Sequence, residues 1–235
     1  FLPKANVHSA GDDLSDACPN VSQLDLEDNP LGSWDVVLDI ASQLPNLTWL
    51  SLNRVHLPPP PNLADTATLA NLQTLCLSHS KLDWPQLLAV AASMPQLHEL
   101  HFSNNRVASL GAADGSLAAL FPSLETAFLE DNELADWGAV APLAQLPRLE
   151  VLNLSGNRLR ELPTEPSGFG RLRHLMLRAN PLESWASIDA LDHFPDLKEV
   201  RLAELPLMSN LSGMVARRLI IARVGRVAVV PVGGG

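Results

Sequence analysis

The residues with the most obvious claim to chemistry stand at His98-Glu99-Leu100-His101. They resemble a fragment of a zinc motif, but that chemistry needs His-Glu-x-x-His on a helix, with both imidazoles on one face. Here the surrounding leucines assign the segment to a strand, where positions three apart face opposite sides. Metal binding is not expected. No glycine-rich phosphate loop follows a strand, and Gly225 and Gly233 to Gly235 sit in a tail. Serine, histidine and aspartate are plentiful, but no nucleophile elbow is present. The only cysteines, Cys18 and Cys76, form no cluster, which favours a reducing compartment over a disulfide framework. The sequence therefore points away from an enzyme and requires no cofactor.

Recognition is the better-supported chemistry. Trp49, Phe128 and Met176 are large apolar residues at positions where the chain's periodicity gives them no core to enter. His101, Glu130, Arg178 and Arg201 occupy equivalent places. Exposed aromatics, methionine and arginine on one sheet face are what protein-binding hot spots are made of.

The elements that position them are repeats. Leu149 to Leu159 reads L-x-x-L-x-L-x-x-N-x-L, the leucine-rich-repeat signature. Leu152, Asn153 and Leu154 alternate as a short half-buried strand does, and Asn157 closes it with a side-chain amide able to bond the neighbouring turn. One copy cannot bury its leucines alone. Further motifs start at Val21, Leu47, Leu72, Leu97, Leu124, Leu172 and Leu197, so eight motifs recur at steps of 23 to 27 residues. The expected fold is an α/β solenoid, a leucine-rich-repeat horseshoe with a parallel concave sheet. The site residues fall on its concave face.

Behind the strands two designs alternate. Ser33-Trp34, Asp83-Trp84, Asp136-Trp137 and Ser184-Trp185 each place a capping residue before a tryptophan and a helical apolar stripe. Val37, Ile40, Ala41 and Leu44 form one stripe; Ile188, Leu191 and Phe194 form another. The remaining repeats carry turn-rich connections at Pro58 to Pro61, Gly111 to Gly115 and Pro163 to Gly170. The tryptophans are expected to pack against neighbouring helices, and Pro58 to Pro61 to be a stiff loop.

The ends are atypical. Leu2 and Val7 fit the last apolar positions of an earlier repeat, with Ala10 to Pro19 as its return path, so the chain is expected to begin inside a repeat. The expected organisation is an array over 1–207, a cap over 208–227 and a tail or linker over 228–235. The cap is read as a helix from Met208 to Val224, with Asn210 or Ser212 as N-cap and Gly225 as stop. Leu205 replaces the asparagine of the last motif.

Charge is uneven. Residues 1–147 carry 4 basic and 17 acidic side chains, and residues 148–235 carry 12 and 9, for a net charge of −10. An acidic chain is a poor match for nucleic acid. No apolar run is long enough to span a membrane, since Arg223, Arg226 and Pro231 interrupt Leu219 to Val232. Of the glycosylation-type sequons at Asn20, Asn46, Asn153 and Asn210, the one at Asn153 simply spells the repeat. A monomeric domain is expected.

The run from Ala216 to Gly225, Ala-Arg-Arg-Leu-Ile-Ile-Ala-Arg-Val-Gly, is similar to the segment that closes the repeats of the tubulin-folding cofactor E family. Cys18-Pro19-Asn20, Leu24-Asp25-Leu26 and Leu31 to Asp35 resemble that family's first repeats. The resemblance implies a cytoplasmic, cytoskeleton-associated tubulin chaperone. Such a protein works with sister cofactors to assemble and take apart the α/β-tubulin heterodimer, with α-tubulin as the expected contact. It also implies a middle domain, since the family flanks its repeats with CAP-Gly and ubiquitin-like domains; a shorter relative without the CAP-Gly domain fits as well. It transfers no tubulin-contacting residue. The alternatives are a phosphatase-regulating or dynein-associated repeat scaffold and an extracellular recognition module.

Overall fold

The computed structural model describes residues 2–9, 11, 13–60, 67–111, 116–225 and 227–229. The chain forms two compact units, Phe1–Asn105 with Ala118–Leu124, and Arg106–Leu117 with Glu125–Gly235. Every expected motif delivers one three-residue strand. In the first unit these are β1 (Gln23–Asp25), β2 (Trp49–Ser51), β3 (Thr74–Cys76) and β4 (Glu99–His101). In the second they are β5 (Thr126–Phe128), β6 (Val151–Asn153), β7 (His174–Met176) and β8 (Glu199–Arg201). Pairing is parallel and follows chain order, with Leu24, Leu50, Leu75 and Leu100 aligned in one unit and Ala127, Leu152, Leu175 and Val200 in the other. The fold is the expected leucine-rich-repeat solenoid.

The period follows from what each strand must bury. The central residue and the one two positions later face inward; Leu152, Leu154, Leu175 and Leu177 are all 0% exposed. In seven of the eight motifs the residue before the asparagine position is non-glycine in the left-handed region, from Asp28 to Glu204, and in the eighth it is Gly156 at φ 69°. That conformation turns the chain off the strand and swings the next side chain inward. At Gly156 a Cβ would sit 2.0 Å from a carboxylate oxygen of Asp131, so the bare backbone makes room for that side chain.

The motif asparagines stitch successive repeats together. Asn157 donates from Nδ2 to the carbonyls of Leu154 (3.0 Å) and Leu129 (2.9 Å), and its Oδ1 accepts the Leu134 N–H at 3.2 Å. Asn180 does the same for Leu177, Leu154 and Leu159. The pattern reaches the N-terminal end, where Asn29 donates to the Leu2 carbonyl and accepts from the Val7 N–H, while Leu2 and Lys4 donate to Asp25 and Glu27. Leu2, 46% exposed, and half-buried Val7 are thereby held beside the first motif. On the return path, Ala10 and Asp12 lie outside the described residues and α1 (Leu14–Ala17) forms one turn.

The tryptophan signals open helices: α2 (Trp34–Ser42), α3 (Trp84–Ala91), α5 (Trp137–Val140) and α6 (Trp185–Asp189), the last two running on into 3-10 turns. Asp83, Asp136 and Ser184 cap with their side chains, and Gln86 completes a capping box with Asp83. Ser33 holds the extended cap conformation but bonds no helix amide with its hydroxyl, so its expected capping role is corrected. Trp34, Trp84 and Trp137 are buried. Trp84 packs on Phe102 and Phe121, and Trp137 on Phe169 and Phe194, with centroids 5.6–6.2 Å apart. Trp185 is only half-buried and lies under the Arg223 guanidinium.

Three further expectations change. Repeat four is not a pure turn connection: buried Leu117 opens a one-turn helix, α4 (Leu117–Leu120), while 112–115 lie outside the described residues, as does Pro61 of the proline run. The terminal helix does not begin at Met208. Pro206–Met208 form a 3-10 turn, and α7 (Gly213–Arg223) starts where the Ser212 hydroxyl accepts the Val215 N–H. Two residues of the expected tail, Ala228–Val229, form β9 beside β8; 230–235 lie outside the described residues.

Candidate protein-binding face

Because strand side chains alternate, the residues flanking each central position share the outer face, and the register arranges them in rows. In the second unit Phe128, Asn153, Met176 and Arg201 stand side by side on β5 to β8, with Thr126, Val151, His174 and Glu199 as the parallel row. In the first unit the rows are Asp25, Ser51, Cys76 and His101, and Gln23, Trp49, Thr74 and Glu99. The expected residues therefore fall into two groups. Phe128, Glu130, Met176, Arg178 and Arg201 are brought together in one unit; Trp49 and His101 belong to the other.

In the second unit the face sinks into a shallow depression of about 460 Å³, lined by Glu130, Asp131, Asn153, Ser155, Met176, Arg178, Arg201 and Glu204. Phe128 and Met176 are half-buried, so each keeps apolar surface available for contact. The arginines are already engaged. Arg178 Nε donates to Glu204 at 3.0 Å, and Arg201 Nε to Glu199 at 3.1 Å. Glu199 also faces His174 Nδ1 at 3.6 Å. Asn153 donates to Glu130 and accepts from the Ser155 hydroxyl at 2.7 Å. Exposed pairs of this kind contribute only about 0–1 kcal/mol each, so a partner can exchange them at little cost.

Glu199, Glu204 and Asn153 complete this surface, though sequence reasoning did not place them in the site. Glu199 and Asn153 were legible as outward strand positions. Glu204 follows its strand by three residues and reaches Arg178 only through the left-handed turn at its own backbone.

In the first unit Cys76 and Ser51 point outward yet are buried, 5% and 2% exposed. Burial, then the charges of Glu99 and Asp25, push the Cys76 thiol up to about 12. That suits an inert thiol, not a nucleophile or metal ligand. His101 Nε2 lies 2.5 Å from Glu99 Oε1, two residues along the same strand. Among the described residues no group of three or more histidine, cysteine or acidic side chains is placed to hold a metal, and no helix is long and apolar enough to cross a membrane.

Comparison with known proteins fits this geometry. The Leucine Rich Repeat family profile matches residues 148–170. Tubulin-folding cofactor E of Arabidopsis thaliana is 34% identical over 227 residues, covering 92% of this chain and 42% of that protein. Human tubulin-specific chaperone E is 32% identical over 222 residues, covering 91% and 41%. The human tubulin-specific chaperone cofactor E-like protein is 31% identical over 239 residues, covering 97% and 54%. The chain thus spans about half the length of the curated relatives it matches. Among solved structures, internalin C2 of Listeria monocytogenes superposes with a TM-score of 0.56 at 17% identity, over 90% of this chain and 80% of that one. That likeness speaks for the fold alone.

Proposed function

The chain is homologous, over more than nine-tenths of its length, to proteins named tubulin-folding cofactor E and tubulin-specific chaperone E, and from this premise we propose that it is a tubulin-binding chaperone domain contributing to assembly and dissociation of the α/β-tubulin heterodimer. The homology is the observation that carries the reading. The repeat face supports it: a parallel sheet presenting half-buried Phe128 and Met176 among exchangeable charges is built to hold a folded protein surface, and the role is binding, not catalysis. Phe128, Glu130, Met176, Arg178 and Arg201 form the principal contact in this reading, with Trp49 and His101 as a second contact on the other unit. The α-tubulin subunit is the expected partner, in the cytoplasm and alongside sister cofactors.

The test is direct. Immobilised chain should retain tubulin from a cytosolic extract and then bind purified α/β-tubulin in titration. Retention of an unrelated phosphatase or dynein component, with no tubulin in the eluate and none bound in titration, would replace this reading with that of another repeat scaffold.

A further inference from the structure

The C-terminal part of the second unit carries a surface that the strand face does not explain. Helix α7 buries Ala216 and Ile220, and its C-cap Val224 continues the stripe at four-residue spacing. The other side of such a helix is ordinarily polar. Here it exposes Met214 (67%), Val215 (44%), Leu219 (39%) and Ile221 (46%). Four large apolar side chains open to solvent on one 11-residue helix, beside exposed Arg217 and Arg218, mark a surface for interaction. Beside it runs a groove of about 560 Å³, whose lining includes Leu202, Met208, Leu211, Met214, Arg217 and Glu204, the last a carboxylate already held by Arg178. Two flexible methionine side chains let such a groove mould itself to an inserted apolar group.

Charge identifies what fits. From Leu205 to the end the sequence has four arginines and no acidic residue. Arg223 is neutralised by Asp189, at 2.8 Å to both carboxylate oxygens. Arg217 and Arg218 stay exposed and make no ion pair among the described residues. We propose that this groove docks an acidic amphipathic helix of a partner protein, its apolar side chains entering between Met208, Leu211 and Met214 and its carboxylates meeting Arg217 and Arg218.

A short segment senses only the charges within about one Debye length, ~8 Å, and so meets the arginines of α7. An extended anionic surface, a bilayer or a nucleic acid, also meets the rest of the second unit, which outside α7 holds 15 acidic against 10 basic side chains. A second copy docked through the same patch would bring two arginine-bearing surfaces together, with the one carboxylate of the groove, Glu204, already held by Arg178.

Two synthetic helical peptides test the assignment, one with leucines at i, i+3, i+4 and i+7 and glutamates elsewhere, the other with lysines in place of the glutamates. Titrated by fluorescence anisotropy against the full chain, the glutamate peptide should bind at least about tenfold tighter than the lysine peptide. Arg217→Glu with Arg218→Glu should reverse that order, which loss of folding cannot do. Met214→Asp, at a 67% exposed position, should weaken both peptides with Tm unchanged. Equal binding of the two peptides, binding of neither, an order left unreversed by the double variant, or capture by phosphatidylserine vesicles without peptide binding overturns the proposal.

Discussion

The side-chain amide of Asn157 donates to the carbonyl of Leu129, 28 residues earlier, at 2.9 Å. One side chain thereby closes its own strand and fastens it to the repeat before. With Asn29, Asn105, Asn132 and Asn180 in the same role, stability is shared between neighbouring repeats, which is why none of them folds as an independent domain.

Asn157→Ala leaves the Leu134 amide without its acceptor and removes one of two asparagine donors from each of the Leu129 and Leu154 carbonyls, and should cost about 1–3 kcal/mol. Leu154→Ala, at a site 0% exposed, should cost about 2–5 kcal/mol through lost burial and a cavity. Urea denaturation measures both. Wild-type midpoints for the pair would contradict the packing of the sixth repeat.

Removing the chain from Met208 onward uncovers Leu202 and Leu205, 6% and 3% exposed in the intact protein. We take α7 as the seal of the array's C-terminal end, and the truncated protein should aggregate. A monomeric truncation with an unchanged melting curve would show that the last repeat needs no such cover.

Cys76 should react with a thiol reagent only on unfolding, whereas exposed Cys18 reacts at once. Burial pushes the folded thiol up to about 12 from its ordinary 9.0, so above pH 9 the unfolded chain releases a proton that the folded chain keeps. The contribution to stability is complete below pH 9 and is lost as pH rises towards 12. Cys76→Ala should flatten that decline; an identical alkaline profile would refute the assignment.

Phe128→Ala should weaken tubulin binding by at least ~2 kcal/mol, as truncation of an interface anchor does. Arg178→Glu with Arg201→Glu removes the arginine partners of Glu199 and Glu204 and adds two carboxylates near Glu130 and Asp131, turning the depression acidic. Association with tubulin should slow and lose salt dependence. Stopped-flow titration of folded variants at two salt concentrations reads both effects. Unchanged kinetics in all of them would move the contact off this face.

Spacing alone determined the repeats. Leucines at a 23- to 27-residue period have one way to be buried together, so motif starts, strand positions, the inward face and the asparagine ladder were all legible. The row of Phe128, Met176 and Arg201 followed as well, because parallel strands with the same motif pair in the same register. Three things only the tertiary structure decided. Arg178 is neutralised by Glu204, since reach across a left-handed turn depends on backbone direction and not on sequence distance. Cys76 and Ser51 are buried on a face whose pattern reads as exposed, because burial there is set by neighbouring side chains. Helix α7 turns an apolar side to solvent although its composition alone would suit a sealed cap, because an 11-residue helix laid against the last repeat covers one stripe and leaves the other half of its surface open.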